Sequence, residues 1–261
     1  MIGSVLAACG LFVLLAVGLR WWRAMQRVAI PADIRPYLIA SGVSALAGAA
    51  AFVFGVGILG GIAAALALIG GVALPALYAG SAQLPRTPAV AVGGPVLNFT
   101  AADDSGAPFD LATLRGTPFL LKFFRGHWCP YCVAELRRWE ELRPELAARS
   151  IAIVTVCADS AEAIRRGRGK HGLQAIMLPD PDLAITERYN LRNPKNFAPK
   201  PGVIIPLPIP TTILVDADGV VRWIDQATDY MHRSDPQRVL AAIRAALDVP
   251  DHATTRRTAV G

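Results

Sequence analysis

Six residues, Phe119-Leu120-Leu121-Lys122-Phe123-Phe124, run like a strand into Arg125-Gly126, and Cys129-Pro130-Tyr131-Cys132 follows at once. A long helical pattern begins directly afterwards. The stretch therefore reads as strand, short loop and a Cys-x-x-Cys at the mouth of a helix, a context in which the motif signals redox chemistry. Residues three apart lie on one helix face, so Cys129 and Cys132 can close a small ring or open to a dithiol. With Cys129 at the cap and Pro130 at the first helical position, the first thiol faces the unsatisfied N–H groups and the positive dipole end. Such a site lowers a thiol pKa from about 8.5 to roughly 3.5–7.5 and makes the thiolate nucleophilic. Cys132, one turn deeper, is then the resolving thiol. A structural zinc site wants four ligands; Cys9 and Cys157 form no second pair, and His127, His171, His232 and His252 are scattered.

The chain of 261 residues is 53% apolar and 18% charged, but the average hides a division. Residues 1–80 are almost purely apolar. Ile2–Leu19 carries no charge and is followed by Arg20-Trp21-Trp22-Arg23, which fits one membrane span with an interfacial aromatic belt. A cleaved signal peptide would carry its positive charge before the apolar run. Tyr37–Ala79 is 43 uncharged residues, about 65 Å as one helix and roughly twice a hydrocarbon core of about 30 Å. Two spans joined at Gly55, Gly57, Gly60 and Gly61 use that length. The expectation is an anchor over 1–80 with spans at about 2–19, 37–57 and 59–79. Arg20, Arg23, Arg27 and Arg35 against Asp33 place the first loop in the cytoplasm, and three spans then place the following domain there too. One span plus a re-entrant piece would place it outside, in the periplasm. No ionisable residue lies within a span, so the helices read as an anchor to the lipid bilayer and not as an ion path. The net charge of +6 is modest and lacks the clustered basic face that nucleic-acid binding requires.

Beyond a Pro/Ala/Gly-rich linker at 81–93, strands alternate with helices. Short strands are expected at 96–100 and near 108–111, the core strand at 119–124, and a helix from Cys129 to about Arg149 bent at Pro144. A buried strand over 151–157 follows, then a helix, a short strand and a helix over 160–189. A hairpin (211–225) turns at Asp216–Gly219, and a closing helix covers 235–247. Residues 249–261 read as a disordered tail, and the Pro-rich stretch 194–210 has no assignment. The pattern is α/β, a mixed central sheet flanked by helices.

Three pieces of the domain at 94–248 resemble the alkyl hydroperoxide reductase/thiol-specific antioxidant (AhpC/TSA, peroxiredoxin-like) branch of the thioredoxin-like superfamily. They are Gly94-Pro95-Val96-Leu97-Asn98-Phe99 with Leu111-Ala112-Thr113-Leu114-Arg115-Gly116, Phe124–Cys132, and Ile209–Asp216 with Gly219. The resemblance implies a thioredoxin-like fold in which Cys129 attacks and Cys132 resolves. It also implies that Pro210 is a cis-proline beside the dithiol and that the Ile209 backbone pairs with an extended substrate. Trp128, Pro130 and Tyr131 would line the substrate site, with Arg125 and His127 as modulators of the thiolate. Two departures stand out. Peroxidase members carry Thr three residues before the attacking cysteine, where this chain has Gly126, and Arg where it has Pro210. Phe123 occupies the position of the buried acid of thioredoxins, and Glu135 reads as a solvated helix residue.

The resulting expectation is a membrane-anchored thiol–disulfide oxidoreductase acting on protein or low-molecular-weight disulfides, with no cofactor beyond its own redox-active disulfide and no metal. An unidentified thiol would reduce it. A peroxiredoxin-like peroxidase acting on hydroperoxides is the alternative, and a non-catalytic thioredoxin-fold scaffold is the third reading.

Overall fold

Charge-free runs with small residues on one side and large apolar residues on the other fold as three helices. In the computed structural model these are α1 (Ile2–Gln26), α2 (Arg35–Val53) and α3 (Ile58–Ala79). The structure describes residues 1–27, 29–31, 33–83, 86–197, 204–231 and 233–247; the expected tail from 249 onward lies outside them, as do 198–203 and His232. The described chain divides into two compact units, one of which gathers Met1–Pro85, Cys129–Ala134 and Thr228–Arg233.

In that unit all three helices are long and apolar enough to cross a membrane. α1 continues beyond Leu19 through both tryptophans, because nothing there breaks a helix. α2 stops four residues before the expected end, at a turn in which Gly55 takes a φ of +76°. Ala51, Ala64 and Ala67 are wholly buried between helices, while Phe12, Leu15, Ile39, Leu46 and Ile69 face outward. The Ser44 hydroxyl lies 2.9 Å from the Gly10 carbonyl and 3.2 Å from that of Ala67, bridging α2 to both neighbours. After α3 the chain runs beside residues 228–230. The Gln83 amide donates to the Thr228 carbonyl (2.9 Å) and the Tyr230 amide to the Ser81 carbonyl (3.0 Å).

The other unit is built on a five-stranded mixed sheet. Its strands are β3 (Phe119–Phe124), β4 (Ala152–Cys157), β5 (Ile176–Pro179), β8 (Thr211–Val215) and β9 (Val221–Gln226), in the order β5-β4-β3-β8-β9. β3, β4 and β5 are parallel, and β8 and β9 are antiparallel to their neighbours. The central position of β3 requires burial on both faces, and all six of its residues are buried. Phe119, Leu121 and Phe123 join one core with Val154, Ile213 and Tyr189; the alternate residues, Lys122 among them, point to the opposite face. A two-stranded ladder, β1 (Thr100–Ala102) with β2 (Pro108–Asp110), lies outside this sheet, as does a second, β6 (Arg192–Phe197) with β7 (Ile204–Pro208).

The expected helix after Cys129 is two helices, α4 (Pro130–Glu141) and α5 (Arg143–Ala148), with Pro144 in the first turn of α5 where a missing N–H is harmless. α6 (Ala161–His171), α7 (Ala184–Arg188) and α8 (Pro236–Leu247) are the remaining α-helices among the described residues. Two expectations change. The described part of the Pro-rich stretch forms a strand pair, which tolerates proline because each strand has one edge unpaired. Residues 86–93 are docked and not a loose linker: the Ala89 amide donates to the Tyr189 carbonyl, and Val90 is part of the core.

Candidate active site

The Cys129 carbonyl accepts the first bond of α4, from the Val133 amide at 3.1 Å, which makes Cys129 the N-cap residue. Cys132 sits within the first turn. Both are thiols in this structure, and both are buried, at 1% and 0% exposure.

Arg233 shares their surroundings. Its Nη2 lies 3.2 Å from the Cys132 sulfur and 3.7 Å from that of Cys129, and the residue is 3% exposed. Its guanidinium stands 5.9 Å from the Tyr131 ring centroid. Tyr131 is itself buried, with Tyr230 at 6.5 Å and Trp21 at 6.3 Å between ring centroids. Burial first, and the charge of Cys129 second, push the Tyr131 phenol above its ordinary range. Nothing in the sequence singles out Arg233: it lies 104 residues from Cys129 and belongs to no motif.

The loop between β3 and α4 is anchored from the segment between β4 and α6. Asp159 accepts the His127 amide (2.6 Å) and lies 3.0 Å from His127 Nδ1, so His127 is not an idle exposed ring. Its side chain is 5% exposed and meets Phe124 edge to face. Arg125, expected as a modulator, is buried with its guanidinium 4.9 Å from the Trp128 ring centroid. An open groove of about 330 Å³ runs past His127, Trp128, Asp159, Arg166 and Lys170. Among the described residues, His127, Cys157 and Asp159 bring one ligand atom each within 4.8 Å and could hold a metal ion as a set. The His127–Asp159 hydrogen bond accounts for two of them without one.

Gly126 adopts a φ of +151°, and a Cβ there would stand 2.5 Å from Trp128 Nε1 and 2.6 Å from Asp159 Oδ1. A threonine cannot occupy this backbone without moving both. At the other departure the peptide bond before Pro210 is trans, since the described chain contains no cis bond. The expected cis-proline is thus corrected. The Ile209 amide already donates to the Leu191 carbonyl (2.7 Å), the Ile209 carbonyl accepts the Thr211 hydroxyl (3.0 Å), and the Pro210 carbonyl accepts the Ala227 amide (2.8 Å). The backbone expected to receive a substrate strand is engaged internally.

Glu135 is also corrected. It is wholly buried, and its carboxylate takes a 2.6 Å ion pair from the Lys122 ammonium, which in turn reaches the Thr212 hydroxyl at 3.1 Å and stands 5.6 Å from the Trp139 ring centroid. The signal was present: a lysine inside an apolar central strand needs a buried partner.

Comparison with known proteins agrees with this architecture. The soluble secreted antigen MPT53 of Mycobacterium tuberculosis is 29% identical over 60% of this chain and 81% of its own. The thiol-disulfide oxidoreductase ResA of Geobacillus kaustophilus is 27% identical over 60% and 80%. Peroxidoxin BcpB of M. tuberculosis shares the fold with a TM-score of 0.50 and 21% identity, covering 60% of this chain and 97% of that one. A cysteine-to-serine mutant of PrxQ from Xylella fastidiosa does so with a TM-score of 0.52 and 15% identity, covering 60% and 96%. The AhpC/TSA family profile matches residues 92–224. From the central strand and its Cys-x-x-Cys through the β8–β9 hairpin, the chain belongs to the AhpC/TSA family.

Proposed function

We propose that the protein is a membrane-anchored thiol–disulfide oxidoreductase whose centre is the Cys129–Cys132 pair. The observation that carries this reading is a Cys-x-x-Cys in the first turn of the helix after the central strand, with both sulfurs beside one buried guanidinium. The Cys129 thiolate attacks one sulfur of a substrate disulfide, forming a mixed disulfide and releasing the other half as a thiolate. The Cys132 thiolate then attacks the Cys129 sulfur, closing the Cys129–Cys132 disulfide and releasing the second half. Two electrons have passed to the substrate, and an external thiol restores the dithiol. The similarity to ResA supports this class, and the glycine at position 126 speaks against a peroxide site built as in the peroxidase members.

The test uses the reduced full chain in detergent, mixed separately with glutathione disulfide and with hydrogen peroxide while tryptophan fluorescence is followed by stopped flow. Trp128 precedes Cys129 and reports its oxidation. The disulfide is expected to react faster; a faster reaction with peroxide, lost in Cys129→Ser, would instead make the protein a peroxidase in which Cys129 passes through a sulfenic acid.

The basic loop between α1 and α2 supports a cytoplasmic position for the redox domain. A phosphatase fused after Gly261 that works only outside the cytoplasm is expected to be silent; activity would reverse the orientation.

A further inference from the structure

We infer that Arg233 is a catalytic residue of the dithiol, that it bears on Cys132 more than on Cys129, and that the Ser81–Gln83 segment holds it in place. The two sulfurs have different needs. Cys129 caps α4 and receives the field of the helix terminus. Cys132 lies inside the turn at 0% exposure, where burial alone keeps a thiol protonated and unable to resolve a mixed disulfide. A permanently charged guanidinium at 3.2 Å supplies a counter-charge, and its distance to Cys129 is longer, 3.7 Å. In a buried setting such a charge acts far more strongly than in water.

The other groups around the pair can be named. Tyr131 is held neutral by burial and adds no negative charge. Tyr230 lies against the Tyr131 ring. Asp229 acts on Tyr131 in the opposite sense to Arg233, and one of its oxygens accepts the Met231 amide at 2.8 Å. His127, two residues before Cys129, is bonded to Asp159, and Glu135, three residues after Cys132, to Lys122. Among the described residues, Arg233 is a cation in hydrogen-bond reach of both sulfurs.

Its position is set from the anchor side. Residues 228–230 pair with Ser81–Gln83 through the Gln83-to-Thr228 and Tyr230-to-Ser81 bonds and an isolated bridge between Ala82 and Asp229. Ser81 follows α3 by two residues. The chain leaving the last apolar helix therefore fixes the loop that ends in the guanidinium.

The assignment of Cys132 to resolution rests on the disulfide-exchange reading, but the charge on its sulfur is measurable without a substrate. The experiment is the pH dependence of iodoacetamide alkylation at each cysteine, read by mass spectrometry on the reduced full chain in detergent. Arg233→Gln is expected to raise the midpoint by about one to three pH units, more at Cys132 than at Cys129. Arg233→Lys should restore most of the shift. Gln83→Pro, which deletes the amide donated to Thr228 and leaves Arg233 intact, should move the midpoint in the same direction by less. An unchanged midpoint in Arg233→Gln overturns the inference, as does a lysine variant shifted as far as the glutamine one. If Arg233→Gln does not fold, the decision passes to the other two: a near-native midpoint in Arg233→Lys with a raised one in Gln83→Pro supports the inference, and an unmoved Gln83→Pro overturns it. A shifted midpoint in a protein that exchanges no disulfides leaves the role of Arg233 standing and removes the proposed function.

Discussion

On the proposed mechanism, Cys129→Ser is expected to abolish disulfide exchange, while Cys132→Ser is expected to turn the protein into a trap. The first replaces the attacking sulfur by a hydroxyl that is not ionised at neutral pH, so turnover should fall by on the order of a thousandfold or more, as when a covalent nucleophile is removed. The second leaves attack intact and removes resolution, so a mixed disulfide with the substrate half accumulates. Turnover of glutathione disulfide and intact mass of the product separate the two. Retention of full function by Cys129→Ser would instead favour a scaffold that only binds.

Glu135→Leu alone destabilises the protein severely, and pairing it with Lys122→Met repairs most of the damage. The Lys122 and Glu135 side chains are 1% and 0% exposed. Removing the carboxylate leaves an ammonium in an apolar layer with the Thr212 hydroxyl and the Trp139 ring beside it, which costs about 3–5 kcal/mol. For a domain of this size that corresponds to a drop of roughly 6–20 °C in melting temperature. Two apolar side chains of similar volume need no such compensation, and a buried pair replaced as a whole is often neutral. Melting of the single and double variants in detergent, followed by near-ultraviolet circular dichroism, checks both halves. A loss below about 1 kcal/mol for Glu135→Leu would mean that water reaches the site as it reaches a surface pair.

Local punctuation made the framework readable. Six strand residues, Phe119–Phe124, closed off by Gly126 and followed by a cysteine pair, announced β3 and the start of α4, and the Asp216–Gly219 turn announced the β8–β9 hairpin. The uncharged runs announced three helices. What the sequence hid depends on contacts between distant residues or on signals that cancel. Arg233 lies beside the sulfurs at the end of a segment, 228–230, that pairs with 81–83, a register that no periodicity reports. The partner of Lys122 lies 13 residues away on a helix whose pattern looked solvated at Glu135. Prolines at 194, 206 and 208 masked the β6–β7 ladder, and the small residues near Val90 suggested a linker where the chain in fact docks. Pro210 was readable as a proline opening a strand, but the hydrogen bonds that occupy its neighbours were not.

The helix bundle limits how this chain is able to drift. A methyl group on Gly48 would stand 2.5 Å from the Ala64 carbonyl oxygen, and one on Gly71 would stand 2.6 Å from the Ala45 nitrogen. These obstacles are backbone atoms, which cannot swing aside as a side chain does. The outward leucines, isoleucines and valines meet no such limit and are interchangeable as long as they remain apolar. Neutral substitution should therefore accumulate around the perimeter of the helix bundle and stall along its glycine seams, the reverse of the intuition that the largest side chains are the most constrained.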